Sequence, residues 1–172
     1  MQKLIKALMT AYLRTVNLFR KVVYPKDSKF YFEMDKDSFE KEINKFEYKA
    51  DPIGGLIDYV DTPDHFFDPE KKSGRDCDDW ARMWSLWGVY HGYQAKEYVI
   101  CDPSSVKRAF NTMHVITVLK NLKYNKYFLC NYRMYGPWSK EEDALEYMKN
   151  WKSYQDNRLV VFSREIPKDP KA

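Results

Sequence analysis

The segment that most constrains the fold is a predicted helix that begins at Cys77 and ends near Gly92. Apolar residues recur along it at helical spacing, which predicts a helix rather than a strand. A glycine turn precedes the segment and a glycine follows its last turn, as is common at helix ends. The turn reads Ser73-Gly74-Arg75-Asp76, and the apolar positions are Trp80, Ala81, Met83, Trp84, Leu86, Trp87 and Val89.

Cys77 occupies the first turn of this predicted helix. The unpaired N–H groups of a first turn carry a partial positive charge, which favours the thiolate over the thiol. The thiolate is the nucleophilic form of cysteine, and a nearby N–H group can hold an oxyanion. The position therefore combines two requirements of cysteine catalysis. Because an isolated cysteine is usually a small buried residue, a catalytic role for Cys77 also requires partner residues.

Length and composition predict a globular domain. At 172 residues, the chain is long enough for one domain with a genuine core. Hydrophobic residues make up 44% of it and aromatic residues 17%, which argues against disorder except at the ends. The net charge of +4 arises from 29 cations mixed with 25 anions along the chain. This balance does not argue for a nucleic-acid partner, and none is expected.

The three cysteines, Cys77, Cys101 and Cys130, are an odd number without a repeated spacing. A disulfide framework is therefore not expected, and neither is a zinc site, because no Cys-x-x-Cys pair occurs. Free thiols persist most easily in a reducing compartment, which makes the cytoplasm the expected location. No stretch approaches the length of a membrane span, and no secretory signal is clear.

Residues 3–23 predict an amphipathic helix that Pro25 ends. A basic amphipathic helix either packs its apolar stripe on the domain or lies on a membrane surface. Packing on the domain is the favoured prediction. The predicted apolar stripe consists of Leu4, Ile5, Leu8, Tyr12, Val16 and Phe19.

The pattern between this helix and Cys77 is weaker. Residues 28–34 predict a short strand or an extended linker, and Asp37 with Glu40 predicts a capping box that opens a helix. Residues 50–74 are rich in Asp, Pro and Gly, which predicts a long ordered loop. Four side chains of this loop are candidates for the wall of a groove: Tyr59, His65, Phe66 and Phe67.

The second half of the chain is rich in Val, Ile, Tyr and Phe. It predicts strands over residues 96–101, 112–119, 124–130 and 158–163, with a hairpin turn near Asn125. Ser139 and Glu142 form a capping box, which predicts one more helix through about Trp151. Helices therefore come first and an antiparallel sheet follows, which predicts the α+β fold class.

A cysteine nucleophile needs a base, and the base needs a group that orients it. His114 is the best candidate for the base, because it opens an alternating strand that fixes the direction of its ring. His91 lies at the far end of the Cys77 helix, roughly 20 Å away at 1.5 Å per residue. His65 lies in the loop, where nothing fixes it. Asn131 ends the next strand and is the candidate to bond the far ring nitrogen of His114.

Three blocks of residues resemble the transglutaminase-like branch of the papain-type cysteine proteinases, and most closely its small bacterial group. The first is a Gly-x-Asp-Cys-acidic-Asp-aromatic-Ala motif at residues 74–81. In the second, His114 opens a strand 37 residues after Cys77, and in the third Leu129-Cys130-Asn131 ends the next strand. Residues 55–59 with a later proline resemble the loop before the cysteine, so the resemblance covers about residues 50–135.

The resemblance implies a papain-like, transglutaminase-like fold in which the nucleophile helix packs on an antiparallel sheet. It implies Cys77 as nucleophile, His114 as general base and acid, and the backbone N–H of Cys77 as an oxyanion donor. The family usually has Asp where this chain has Cys130. Strict alternation along the strand would turn Cys130 toward His114, whereas a bulge or strand end at Asn131 would restore an orienting amide. Asn131 is the favoured third residue.

Asp76, Asp78 and Asp79 surround Cys77 with carboxylates. In some members of the family the acidic neighbours of the cysteine bind calcium, which makes Asp76 and Asp78 candidate ligands. Helix capping explains the same residues without a metal and is favoured, so no cofactor is required. These carboxylates also oppose thiolate formation at Cys77.

The expected activity is that of a cysteine peptidase or amidase, which cleaves an amide bond of a protein or peptide substrate through a thioester. Transfer of the acyl group to a lysine amine would instead make it a transglutaminase. Tyr59, Trp80 and Trp138 are candidates to line the substrate cleft. The alternative is a domain of the same family that has lost efficient catalysis and serves as a binding or structural module.

The expected organisation has three parts along the chain. An N-terminal helical extension covers residues 1–48, the transglutaminase-like core covers 49–165, and a tail covers 166–172.

Overall fold

The computed structural model describes residues 1–19, 22–48, 62–70, 75–149 and 159–168. The helices among them are α1 (Gln2–Phe19), α2 (Lys29–Phe32), α3 (Lys36–Ile43), α4 (Pro63–Phe66), α5 (Cys77–Tyr90), α6 (Val106–Asn111) and α7 (Glu141–Lys149). The strands are β1 (Tyr93–Cys101), β2 (His114–Asn121), β3 (Lys126–Cys130), β4 (Met134–Trp138) and β5 (Leu159–Ile166).

The five strands form one antiparallel sheet in the order β4-β3-β2-β1-β5. At the predicted hairpin between β2 and β3, Asn125 adopts a φ of 49°, a left-handed conformation that asparagine tolerates better than most residues. The combination of helices with an antiparallel sheet is the α+β class that the sequence predicts.

Helix α5 packs on β1 and β2 and begins at the predicted residue, Cys77. Its tryptophans Trp80 and Trp84 are buried in a core that also contains Leu119 of β2. At Gly88 the helix comes so close to the sheet that an added Cβ would collide with the side chain of Leu119. The core extends to the N-terminal helices, because Phe32 of α2 and Phe39 and Ile43 of α3 belong to the same cluster.

Helix α7 covers the opposite face of the sheet. Its residues Ala144 and Met148 pack against Ile116 and Val118, which alternate along β2 with the residues that face α5. The sheet therefore lies between α5 on one face and α7 on the other.

Helix α1 packs on the domain through one side only. Ile5, Met9 and Leu13 form a cluster with Val161 of β5, and the Thr10 hydroxyl lies 2.8 Å from the Val161 carbonyl oxygen. This contact confirms the prediction that the helix packs on the domain. Two residues of the predicted stripe, Leu4 and Leu8, are instead exposed. The buried line runs through Ile5, Met9 and Leu13, one residue further along the chain than most of the predicted stripe.

A buried ion cluster joins α5 to two strands. Arg82 of α5 donates to both carboxylate oxygens of Glu97 on β1, at 2.8 and 3.2 Å. Arg164 of β5 donates to the same carboxylate at 2.7 Å. A carboxylate that accepts from two guanidinium groups is a geometrically specific link, and it fixes the helix against the sheet.

Two local predictions in the N-terminal region are wrong. Residues 28–34 contain the short helix α2 rather than a strand, because the Ser28 amide donates to the Asp64 carboxylate at 2.8 Å and Phe32 turns into the core. The cap of α3 is Asp35 rather than Asp37. Its carboxylate accepts from the amides of Asp37 and Ser38, so the helix begins two residues earlier than the capping-box pattern indicates.

Other differences concern α4, α6 and β4. Phe66 and Phe67 are buried in the core and do not form a groove wall, because α4 turns them toward α3 and α5. Helix α6 and strand β4 carry no sequence prediction; β4 contains Gly136 and Pro137, which are uncommon in strands. No helix in the described part of the chain is long and apolar enough to cross a membrane.

Candidate active site

The start of α5 is closed by a reciprocal cap. The Asp76 carboxylate accepts from the amide of Asp78 at 3.2 Å, and the Asp79 carboxylate accepts from the amide of Asp76 at 3.1 Å. Two of the acidic neighbours of Cys77 thus satisfy donors that a helix start leaves unpaired. Cys77, the first residue of the helix, is partly exposed.

The contacts between α5 and β2 show at which end of the sheet the helix begins. The Thr117 hydroxyl of β2 donates to the carbonyl of Ala81 at 2.7 Å and lies 2.8 Å from the Ser85 hydroxyl. One helical turn back from Ala81 is about 6 Å, which matches the roughly 6.6 Å of two strand residues. The first turn of α5 and the start of β2 therefore lie toward the same end of the sheet.

The structure brings His114 and Asn131 together. The ring Nε2 of His114 lies 3.0 Å from Oδ1 of Asn131, and the two residues are only 6% and 2% exposed. Because the amide oxygen can only accept, Nε2 carries the proton in this arrangement. The lone pair of a neutral His114 ring is then on Nδ1. The predicted orienting contact is present with the geometry expected for it.

The register of β2 and β3 explains why Asn131 rather than Cys130 reaches the histidine. Cys130 pairs with Thr117, and both residues lie on the face toward α5. His114 and Asn131 belong to the alternate set of positions, that of Ile116 and Leu129, which faces away from α5. The expectation that strict alternation turns Cys130 toward His114 is therefore wrong, and no bulge is needed. Burial, with a smaller contribution from the Glu40 carboxylate, raises the pKa of the Cys130 thiol well above its ordinary value.

The connection from β1 to β2, which contains α6, is held by hydrogen bonds close to His114. The Asp102 carboxylate accepts from the Ser104 amide at 2.9 Å and from Arg108 of α6 at 2.7 Å. The Asp102 amide donates to the hydroxyl of Thr112, two residues before His114, at 2.9 Å. Burial acts to raise the pKa of Asp102, but the hydrogen bonds from Ser104 and the Arg108 guanidinium outweigh it and hold the pKa below its ordinary 3.8.

Helix α3 supports the turn that carries Asn131. The side-chain amide of Asn44 donates to the carbonyl of Tyr132 at 3.0 Å, and Glu40 accepts from the amide of Met134 at 3.2 Å. An open groove of about 650 Å³ runs between this helix and the turn. The groove is lined by Asp37, Glu40, Lys41, Asn44, Tyr132 and Arg133.

The electrostatic surroundings of Cys77 contain both signs of charge. Oxygen atoms of Asp76, Asp78 and Asp79 all lie within 4.8 Å of one another. The guanidinium of Arg75 is buried nearby, where it donates to the carbonyl of Phe66 at 2.7 Å. Burial lowers the pKa of Arg75, and the Asp79 charge opposes this decrease. The cation therefore offsets part of the negative charge that the three carboxylates place beside the thiol.

The same carboxylates are the candidate calcium ligands. Calcium takes about 6 to 8 oxygen ligands. The described residues bring three carboxylates together here, and the cap of α5 already occupies oxygens of Asp76 and Asp79. Helix capping thus accounts for this part of the acidic cluster, and calcium binding stays a prediction.

The structure does not bring the three predicted cleft residues together. Tyr59 lies outside the described residues. Trp80 is buried among Phe66, Tyr48 and Tyr132 and is not available as a cleft wall. Trp138 pairs with Tyr127 at the far end of β4 from Asn131, and its ring packs against Tyr147 of α7.

The other two histidines differ from His114 in their surroundings. His91 follows the last turn of α5, where its ring stacks on Trp87 with 4.2 Å between ring centres. His65 is exposed on α4. The His114 ring is the one hydrogen-bonded to Asn131, whereas the His91 ring is hydrogen-bonded to a backbone carbonyl oxygen.

Sequence reasoning missed the residues that hold the site in place. Thr117, Ser85, Arg82 and Glu97 link α5 to the sheet, and none of them was predicted to do so. The sequence contains one signal for these contacts: Arg82 and Ser85 are polar residues within an otherwise apolar helix, which indicates that they have polar partners in the fold.

Comparison with known proteins gives no match: no protein-family model fits the chain, and no curated protein or solved structure shows significant similarity to it.

Proposed function

We propose that the protein is a cysteine hydrolase of transglutaminase-like type, a peptidase or amidase that cleaves an amide bond of a protein or peptide. The observation that carries the proposal is the buried His114–Asn131 hydrogen bond, at the end of the sheet where α5 begins with Cys77. A neutral imidazole held with Nδ1 as its base is the partner that a cysteine nucleophile requires.

In the proposed reaction, the Cys77 thiol gives its proton to Nδ1 of His114 and its sulfur attacks the carbonyl carbon of the amide. The resulting oxyanion is stabilised by the backbone N–H of Cys77 at the positive end of α5. When the tetrahedral intermediate collapses, the C–N bond breaks and the imidazolium gives its proton to the leaving amine. A thioester between the acyl group and Cys77 remains.

Water completes the proposed cycle. His114 takes a proton from water, the hydroxide adds to the thioester, and the carboxylic acid leaves as the sulfur regains its proton. If a lysine amine replaces water, the product is a new amide and the protein acts as a transglutaminase. Asn131 holds the ring in one tautomer throughout, although it stabilises the imidazolium less than a carboxylate would.

The three cysteines give an internal test of the proposal, because Cys101 and Cys130 are buried and Cys77 is partly exposed. We expect iodoacetamide to modify Cys77 first, with a rate that rises well below pH 8. Since exposure alone would also favour Cys77, the pH dependence of the rate is the decisive readout. Mass spectrometry assigns the label to each cysteine in the folded protein.

Variants separate a working dyad from a merely accessible thiol. His114→Ala should lower the labelling rate of Cys77 near pH 6 by about a hundredfold, in line with the usual effect of a general base. Asn131→Ala should lower it less, and Asn131→Asp should retain it, because the carboxylate still accepts from Nε2–H. The matched control is His65→Ala, which removes an exposed imidazole. The proposal would be refuted if Cys77 of the unaltered protein is labelled with the pH dependence of an ordinary thiol and at the same rate as in all four variants.

A second function is favoured by two observations. His114 and Asn131 are almost completely buried, and three carboxylates beside Cys77 oppose its ionisation. These features suit a domain that retains the scaffold for binding and lacks efficient catalysis. Unaltered Cys77 reactivity after His114→Ala, in a variant with a normal unfolding midpoint, would favour this alternative.

A substrate assay then distinguishes hydrolysis from transfer. Release of new amino termini from a peptide library indicates hydrolysis. Incorporation of a fluorescent primary amine into a glutamine-containing protein indicates acyl transfer. Cys77→Ser should abolish either activity.

A further inference from the structure

Helix α1 has two apolar sides, and the domain covers only one of them. Ile5, Met9 and Leu13 are buried against β5 and α6. Leu4 and Leu8 lie on the adjacent line of the helix and are 64% and 56% exposed. They follow each other at a spacing of four residues, so their side chains form a continuous apolar strip on the outer surface.

The charge of this region differs from that of the rest of the chain. Residues 1–26 contain six Lys and Arg residues and no Asp or Glu, whereas the whole chain has nearly balanced charges. At about 100° per residue, Lys3 and Arg14 lie about 20° apart on the helix and about 80° to 140° around it from Leu4 and Leu8, on the flank of the exposed side. Lys3, Lys6 and Arg14 are exposed and form no ion pair with the described residues.

We infer that the outer side of α1 docks on the surface of a membrane that contains anionic lipids. In this arrangement the helix lies parallel to the bilayer, with Leu4 and Leu8 inserted at the boundary between headgroups and acyl chains. The basic side chains on the flank of this side contact the anionic headgroups. The inner side of α1 keeps its packing on the domain, so docking requires no unfolding of the helix.

Charge complementarity selects this partner over two others. A second copy of the chain that docked through the same side would bring two basic surfaces together, because α1 offers no acidic residue in exchange. A nucleic acid would use the basic residues but would leave the exposed leucines unexplained. An anionic lipid surface accommodates both features at once.

The inference is tested by sedimentation with vesicles. The full chain is mixed at physiological salt with one of two types of vesicle. The neutral vesicles contain phosphatidylcholine alone, and the anionic vesicles also contain about 30% phosphatidylglycerol. We expect the protein to sediment with the anionic vesicles and not with the neutral ones, and high salt should weaken the binding. Binding to neither type of vesicle would overturn the inference.

Paired variants distinguish docking through α1 from general adsorption. Lys3→Gln with Arg14→Gln should weaken binding about thirty-fold, from roughly 1 kcal/mol for each basic residue near the surface. Leu4→Gln with Leu8→Gln should weaken it by at least about tenfold through the loss of inserted apolar area. All four side chains are exposed, so the fold should be unaffected, and the unfolding midpoint provides the check.

The matched control carries Leu122→Gln with Tyr124→Gln, which changes two similarly exposed residues in the turn between β2 and β3. It should bind like the unaltered protein. Equal losses in the control and in the α1 variants would overturn the inference. It would also be overturned by concentration-dependent dimers, seen by analytical ultracentrifugation, that the leucine variant abolishes while vesicle binding is absent.

Discussion

The ion cluster of Arg82, Glu97 and Arg164 allows the sharpest prediction about stability. Glu97→Gln removes the negative charge that two guanidinium groups share, at distances between 2.7 and 3.2 Å. The change keeps the size of the side chain, so its effect comes from charge and hydrogen bonding rather than from a cavity.

The expected magnitude follows from burial. The side chain of Arg82 is 4% exposed, whereas that of Arg164 is 18% exposed and keeps more contact with water. Removal of one partner of a buried pair typically costs about 3 to 5 kcal/mol, because the remaining charge is left in a poorly solvating environment. We expect the loss to arise mainly from Arg82. It would be a large fraction of the roughly 5 to 15 kcal/mol by which folded domains are stable.

The measurement is urea unfolding at pH 7, followed by the fluorescence of the five tryptophans. Asp37→Asn is the matched control, because it breaks a pair of similar length, 2.6 Å to Lys36, on the exposed surface. This control should leave the midpoint nearly unchanged. A double variant with Arg82→Met and Glu97→Met should recover most of the stability, since it leaves no unpaired charge in the helix.

Two results would refute this reasoning. The first is a loss below about 1 kcal/mol for Glu97→Gln, which would mean that water reaches Arg82 despite its burial. The second is a double variant as unstable as Glu97→Gln itself. In that case the packing of the side chains, and not the unpaired charge, would explain the loss.

Three further predictions concern the elements around the site. Gly88→Ala should destabilise the protein by about 1 to 3 kcal/mol, because the added methyl group collides with the side chain of Leu119. Leu119→Ala in the same chain should relieve the collision, and a double-mutant cycle of urea midpoints measures this. Asp102→Asn should destabilise the protein at pH 7; because the folded-state pKa of Asp102 is lowered, the difference from the unaltered protein should vanish as the pH falls below that value. Asp76→Ala should cost about 1 kcal/mol through the lost cap, and Asp76→Asn much less, by thermal unfolding.

Each of these three predictions would be contradicted by a specific result. Additive effects of the changes at Gly88 and Leu119 would show that the two residues do not interact. A stability difference for Asp102→Asn that persists below the folded-state pKa of Asp102 would show that the ionised carboxylate is not its source. Equal losses for the two Asp76 variants would show that the charge, rather than the accepted hydrogen bond, stabilises the helix start.

Local patterns were sufficient to predict most of the secondary structure. The alternation around residues 114–119 and the apolar spacing after Cys77 are strong signals, and β2 and α5 formed where they were expected. Strand β4 was missed because Gly136 and Pro137 weaken its pattern, and only pairing with β3 makes it a strand. The capping residue of α3 was misplaced because several acidic and hydroxyl residues compete there, and the choice depends on backbone geometry.

By itself the sequence determined that Cys77 starts a helix, that His114 starts a strand and that Asn131 follows the next one, because each of these is a property of local periodicity. Only the tertiary structure decided that Asn131, and not Cys130, contacts His114, since that depends on the register between two strands. The same holds for α1, whose apolar residues look alike in sequence. Packing against β5 divides them into a buried side and an exposed one, because a helix can present only one face to the domain.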